Sequence, residues 1–223
     1  MNFDLAYMLE IIPELLVYIP ITLYLAIVSM IIAVAIGVVL SLLLVNKTPV
    51  LLQLSKLYIS FFRGTPVLVQ LLMIYFGLPQ LFPWLNSLSA VNAAIIAFSL
   101  NTSAYLAEIF RAALISVDKG QTEAAISTGL SYRQAVWGIV LPQAVRNAVP
   151  ATGNMFIGLI KNSSLAFTIG VTELLAQGKL LATATLQFFE AYLAVGIIYW
   201  GMTIIYSWVQ RWYEARINKP YEV

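Results

Sequence analysis

Asn101, Tyr105 and Glu108 fall at i, i+4 and i+7, the spacing that puts three side chains on one face of a helix. Further along, Lys161, Asn162, Ser163 and Ser164 set four polar residues in a row. Amides, a phenol, hydroxyls, an ammonium and a carboxylate can hold a small zwitterion by charge and hydrogen bonds. Bond-breaking chemistry is harder to assemble. The chain has no histidine and no cysteine, which removes the usual general base, the commonest metal ligand and all thiol chemistry. An enzyme site would have to be built from Glu108, Arg111 and Lys161. The residue types point to recognition rather than catalysis.

The elements that position these residues are set by the solvent they face. Of 223 residues, 61% are hydrophobic and 10% charged, against about half and about a quarter in a soluble domain. The apolar residues form five long runs, about 15–45, 65–85, 91–115, 148–170 and 188–210. A bilayer crossing needs about 20 such residues, and backbone groups in lipid must be bonded within their own segment. The expectation is an all-α integral membrane protein, a single domain over residues 1–223 with five transmembrane helices. The acidic start (Asp4, Glu10, Glu14) does not read as a cleaved signal peptide.

Basic residues orient the chain. Lys47, Lys56, Arg63, Lys119, Arg133, Arg146, Arg211, Arg216 and Lys219 fall on one side, with Arg111 at its edge. Lys179 stands alone on the other, with Asp4, Glu10, Glu14 and Glu173. The positive-inside rule then places the N-terminus outside, the C-terminus in the cytoplasm and residues 116–147 in the cytoplasm. Trp208, Trp212 and Tyr213 with Arg211 and Arg216 read as an anchor at the cytoplasmic interface.

Local punctuation fills in the rest. Residues 3–12 read as an outer interfacial helix ending at Pro13. Asn46-Lys47-Thr48-Pro49 ends the first span, and residues 50–62 run along the cytoplasmic face. Thr65 suits an N-cap with Pro66 at the first helical position, and Pro79, Pro83 and Trp84 close the second span. In the excursion, Asp118 and Gln121 have capping-box spacing, as do Ser131 and Gln134. Gly129 suits a left-handed helix end, with Leu130 packing back. Pro142 is expected to end the second short helix, and Pro150 to start the fourth span.

The excursion carries Glu123-Ala124-Ala125, then Gly129, then Ile139-x-Leu141-Pro142. By itself this is either a structured loop or a rigid helix pair to which a soluble partner docks. Small residues beside an acidic one favour close approach of another backbone. The gapped pattern resembles the EAA motif of membrane subunits of ATP-binding-cassette importers. The resemblance extends over most of residues 60–190. Arg63-Gly64-Thr65-Pro66, the run from Asn101 to Ala113, Gly120-Gln121 and Lys161-Asn162-Ser163-Ser164-Leu165 resemble the polar amino acid branch of type I importers. That branch leads us to expect Asp-Thr-Ser after Lys161, so Asn162 departs from it by one negative charge.

The resemblance implies a permease subunit of an amino acid importer in the inner membrane of a prokaryote. It implies a second permease subunit, a homodimer by preference, two cytoplasmic ATPase subunits and an extracytoplasmic amino-acid-binding protein. The EAA segment would be the coupling helix. No phosphate loop of the G-x-x-x-x-G-K-[ST] kind occurs in the chain, so ATP and Mg would be bound by the partner ATPase. Nucleic acid is not an expected partner. An autonomous secondary transporter or channel is the alternative.

Within such a permease, Asn101 and Tyr105 would sit near mid-bilayer, with Glu108 roughly 7 Å deeper at about 1.5 Å per residue. A carboxylate there costs about 2.5–3.5 kcal/mol on a lipid-facing surface and must face protein or a cavity. Glu108 therefore either braces against Arg111 or touches substrate. Four consecutive polar residues at 161–164 cover the whole circumference of a helix. They imply either a break lining a cavity, as transporters build substrate sites, or a kink satisfied by neighbours. Lys161 could then meet a carboxylate. Residues 165–187 would form an outer, partly re-entrant gate with Glu173 exposed. Glu190 is expected at the interface. Glu108 and Glu190 would suit a cationic amino acid.

Overall fold

The structure is a computed structural model that describes residues 3–46 and 49–219, the side chain of Asn46 aside. Lys47 and Thr48, read above as part of the end of the first span, lie outside the described residues. Helices account for nearly all of the rest, and no strand occurs among the described residues. In order they are α1 (Leu5–Leu16), α2 (Ile19–Asn46), α3 (Pro49–Gly64), α4 (Val67–Leu72), α5 (Leu78–Leu81), α6 (Ala90–Ile115), α7 (Lys119–Ser127), α8 (Tyr132–Ala135), α9 (Leu141–Asn162), α10 (Leu174–Thr185) and α11 (Phe188–Asn218). A π-turn over Met73–Gly77 joins α4 to α5, and another over Val136–Val140 joins α8 to α9. Three helices, Ile19–Val45, Ala90–Ile115 and Phe188–Asn218, are long and apolar enough to cross a membrane. Two bent pairs, Pro49–Gly64 with Val67–Leu81 at 105° and Tyr132–Ile169 with Leu174–Thr185 at 55°, could raise the number to five.

α6 is the axis of the bundle. Two-thirds of its most apolar stretch is buried, against about a third for α2 and α11. Its sequence explains this. Ala93, Ala94, Ala97, Ala104 and Ala107 are all fully buried, and small side chains let helices approach closely within a bilayer. Gly37 of α2 uses that space: a Cβ there would stand 2.9 Å from the Leu106 Cβ. Phe98 fills the core that α6 shares with Leu25, Leu71, Leu159 and Ile160. A second core joins Met8, Ile11 and Leu15, spaced three and four apart on α1, to Leu174 on α10 and Ala191, Ala194, Val195 and Ile198 on α11.

Several boundaries differ from the sequence expectation. Pro13 does not end the N-terminal helix: Asp4 caps it through the Tyr7 amide at 3.0 Å and it runs on to Leu16. The buried face of Met8, Ile11 and Leu15 continues past the proline and outweighs its missing donor. The first span accordingly starts at Ile19 rather than near 15. Thr65 does not cap α4. Its hydroxyl turns back to the Phe61 carbonyl at 2.8 Å, and Pro66 itself takes the extended N-cap conformation. The fourth run divides into α9 and a tighter 3-10 stretch, Ser163–Ile169, and the fifth extends to Asn218.

Candidate functional site

The short helices of the excursion are held by their own side chains. The Asp118 carboxylate accepts from the Gly120 amide at 2.7 Å and starts α7. A reciprocal box with Gln121 does not form; the Gln121 backbone amide donates to the Asp118 carbonyl at 3.1 Å instead. At the far end, Gly129 takes φ +92°. The Leu130 amide donates to the Ala125 carbonyl at 3.1 Å and the Gly129 amide to that of Ile126 at 2.9 Å, a Schellman-type closure that needs a left-handed residue. Ser131 and Gln134 form a full capping box on α8, with bonds of 3.3 and 2.9 Å.

Within the motif, Ala125 is buried while Glu123 and Ala124 face outward. Glu123 makes no ion pair among the described residues. Around it, Ile126, Leu130, Tyr132 and Trp137 are exposed. Apolar and aromatic surface, with the Glu123 carboxylate among it, thus surrounds the Gly129 turn.

Pro142 does not end the helix that starts at Tyr132. The Leu141 amide reaches back five residues to the Val136 carbonyl, and this wider turn makes room for the proline ring. Ile139 lies within the π-turn, Leu141 and Pro142 just beyond it, and the chain continues as one helix through Ile169. Pro150 lies inside α9 rather than at its start.

α9 ends in a cleft between α4, α6 and the 63–66 turn, about 430 Å³ in volume. Asn101, Thr102 and Tyr105 line it from α6; Met155, Gly158, Leu159 and Asn162 line it from α9 at i, i+3, i+4 and i+7. Arg63, Gly64, Thr65, Pro66 and Val67 complete it. Gln70 fixes the turn by donating its amide to the Phe62 carbonyl at 3.0 Å and to the Thr65 carbonyl and hydroxyl at 3.1 and 2.7 Å. The Asn101 amide donates to the same Phe62 carbonyl at 2.8 Å and to Gln70 Oε1 at 3.2 Å. The Arg63 guanidinium lies over the Tyr105 ring, 5.3 Å from its centroid.

Of the seven residues expected along a pathway, three line this cleft: Asn101, Tyr105 and Asn162. Glu108 is on the same face of α6 one turn on, and pairs with Arg111 at 2.7 Å. Lys161 is exposed off the cleft. The Ser163 and Ser164 hydroxyls bond back to the Ile160 and Lys161 carbonyls, each at 2.7 Å, which satisfies them where the α-helix tightens. Arg63 and Gln70 were not singled out as binding residues. A polar residue four positions after Pro66, in an otherwise apolar run, was the available signal.

Glu173 is not exposed but fully buried. Its Oε1 accepts from the Ala176 amide at 2.9 Å, capping α10, and its Oε2 accepts from the Tyr199 hydroxyl at 2.7 Å. The left-handed Gly170, φ +89°, ends the 3-10 stretch and turns the chain inward. Glu190 is also buried, accepting from the Asp4 amide at 3.0 Å.

Residues 33–219 match the family described as binding-protein-dependent transport system inner membrane component. The probable amino-acid permease protein YxeN of Bacillus subtilis is 58% identical, over 98% of this chain and 97% of its own. The probable amino-acid ABC transporter permease protein PatM of Vibrio harveyi is 48% identical, over 99% of both. Among solved structures, a chain from an amino acid ABC transporter crystallised with histidines superposes with a TM-score of 0.88 at 35% identity, covering 97% of this chain and 100% of that one. A chain of the methionine transporter MetNI shares the fold alone, with a TM-score of 0.75 at 19% identity over 97% and 99%. Matched along most of its length and aligned with its relatives nearly end to end, the chain belongs to the binding-protein-dependent transport system inner membrane components, the permease subunits of import systems.

Proposed function

We propose that the substrate of this import system is an amino acid and that the chain carries it by alternating access through the cleft at Arg63, Asn101, Tyr105 and Asn162. In this reading α2, the 67–81 segment, α6, α9 and α11 cross the membrane, with the N-terminus outside and the C-terminus in the cytoplasm. The basic residues support that orientation, as does Arg216 over the Trp212 ring at 5.4 Å near the C-terminal end. The membrane is the inner membrane of a prokaryote. Two permease chains, a homodimer, work with cytoplasmic ATPase subunits that hold ATP and Mg, and with an outer amino-acid-binding protein.

The observation that carries this reading is the unbroken helix from Tyr132 to Ile169. From Tyr132 to Asn162 it spans about 45 Å at 1.5 Å per residue. One end adjoins Glu123, Ala124 and Ala125, the coupling surface; the other lines the cleft. Movement imposed on the motif by ATPase closure therefore passes through the Gly129 turn and reaches Asn162 along one helical run. The full complex in liposomes tests this. Gly129→Val puts a β-branched residue at φ +92°, a conformation costing about 1–2 kcal/mol for ordinary residues and more for a branched one. The expected outcome is ATP hydrolysis with amino acid uptake reduced at least tenfold. Uptake at the wild-type ratio to hydrolysis would reject the coupling role.

A further inference from the structure

The cleft holds one formal charge, and it is positive. Among its lining residues Arg63 is the sole ionisable side chain apart from the Tyr105 phenol. Among the described residues no carboxylate lines the cleft; Glu108, one turn along α6 from Tyr105, pairs with Arg111, and Glu173 bonds the Ala176 amide and Tyr199. Lys161, the other cation of the pathway segment, is exposed and does not line the cleft.

The neutral groups have capacity to spare. Both amide protons of Asn101 are spent on Phe62 and Gln70, which leaves its acceptor oxygen, not a donor, as the remaining hydrogen-bonding atom. Asn162, Thr102 and Tyr105 make no side-chain hydrogen bond among the described residues. The Arg63 guanidinium makes no hydrogen bond among the described residues either; it lies over the Tyr105 ring. A guanidinium held over a ring keeps its in-plane N–H groups available, and their fork matches a carboxylate.

We propose that Arg63 anchors the α-carboxylate of the transported molecule, and that the cleft takes a zwitterion with an uncharged side chain and discriminates against cationic amino acids. The ammonium falls to the Asn101 and Asn162 carbonyl oxygens. A lysine- or arginine-like side chain brings a second cation into a cleft whose one fixed charge repels it and whose lining offers no carboxylate to pair with it. Asn162 is decisive because a carboxylate in its place would supply the missing counter-charge. This inference rests on the cleft being the transport path.

The test measures equilibrium binding of radiolabelled L-glutamine and L-arginine to the solubilised permease–ATPase complex, without binding protein. L-glutamine is expected to bind at least tenfold more tightly than L-arginine. Arg63→Gln should lose at least tenfold in L-glutamine affinity, and Arg63→Lys should recover part of it. Asn162→Asp should gain L-arginine binding at least tenfold, a gain that a merely structural residue would not produce. Preference for L-arginine in the wild type, unchanged affinity in assembled Arg63→Gln, no gain in Asn162→Asp, or no binding of either probe would each overturn the assignment. A separate arm measures ATP-driven uptake of a mixed amino acid pool. Uptake with the wrong charge preference rejects the anchor alone; no uptake at all rejects the transport reading beneath it.

Discussion

The excursion at 118–141 and the cleft between α4, α6 and α9 are built by different means. The excursion is assembled from neighbours in sequence: Asp118 with Gly120, Ala125 with Leu130, Ser131 with Gln134. The cleft is assembled from residues far apart in the chain, with the Asn101 amide reaching the Phe62 carbonyl across 39 positions. A locally closed unit keeps its shape when its surroundings move, which suits a surface that receives force. A unit closed by tertiary contacts changes shape when helices shift, which suits a path that opens and closes.

The two regions share the helix that runs from Tyr132 into the cleft. Val145→Pro, at an exposed position between them, removes a helix bond and costs about 3 kcal/mol. Uptake in liposomes should fall more than tenfold while hydrolysis persists; equal losses of both would mean the chain had unfolded rather than hinged. A smaller effect, about 1–3 kcal/mol, is expected for Glu173→Leu, which uncaps α10 and strands the Tyr199 hydroxyl. It should appear as a lower melting temperature of the complex, and an unchanged melting temperature would remove the tertiary bond from the account. The least is expected of Ser131→Ala, at about 1 kcal/mol for a lost cap. Because α8 is continuous with α9, coupling should survive. Loss of uptake there would show that the excursion depends on each local bond.

The same contrast explains what could be read from sequence. Gly129 and the Ser131–Gln134 box are rules of one turn, and both hold in the structure. Pro142 reads as a stop only when the preceding turn is of ordinary width, and the π-turn at Val136–Val140 is not; Pro150 reads as a helix start, yet it lies within α9. Asn101, Tyr105 and Asn162 were found as polar interruptions of apolar runs. Arg63 was seen as punctuation and a topological charge, since nothing local says that Gln70 and Asn101 will fold its turn against α6. Glu173 was placed outside because its capped amide is three residues on but its Tyr199 partner is 26 away.

α6 is buried along most of its length while α2 exposes much of its surface. That asymmetry bears on how the chain is made. α2 is apolar enough to rest in lipid alone. α6 carries Asn101, Thr102, Ser103, Glu108 and Arg111 and meets a steep insertion penalty without company. An order of insertion is the expected consequence: α2 can enter first as a scaffold, and α6 should be retained in the bilayer only once flanking helices shelter its polar side. Before that it is the segment most open to slipping back out of the membrane, and to quality-control proteolysis.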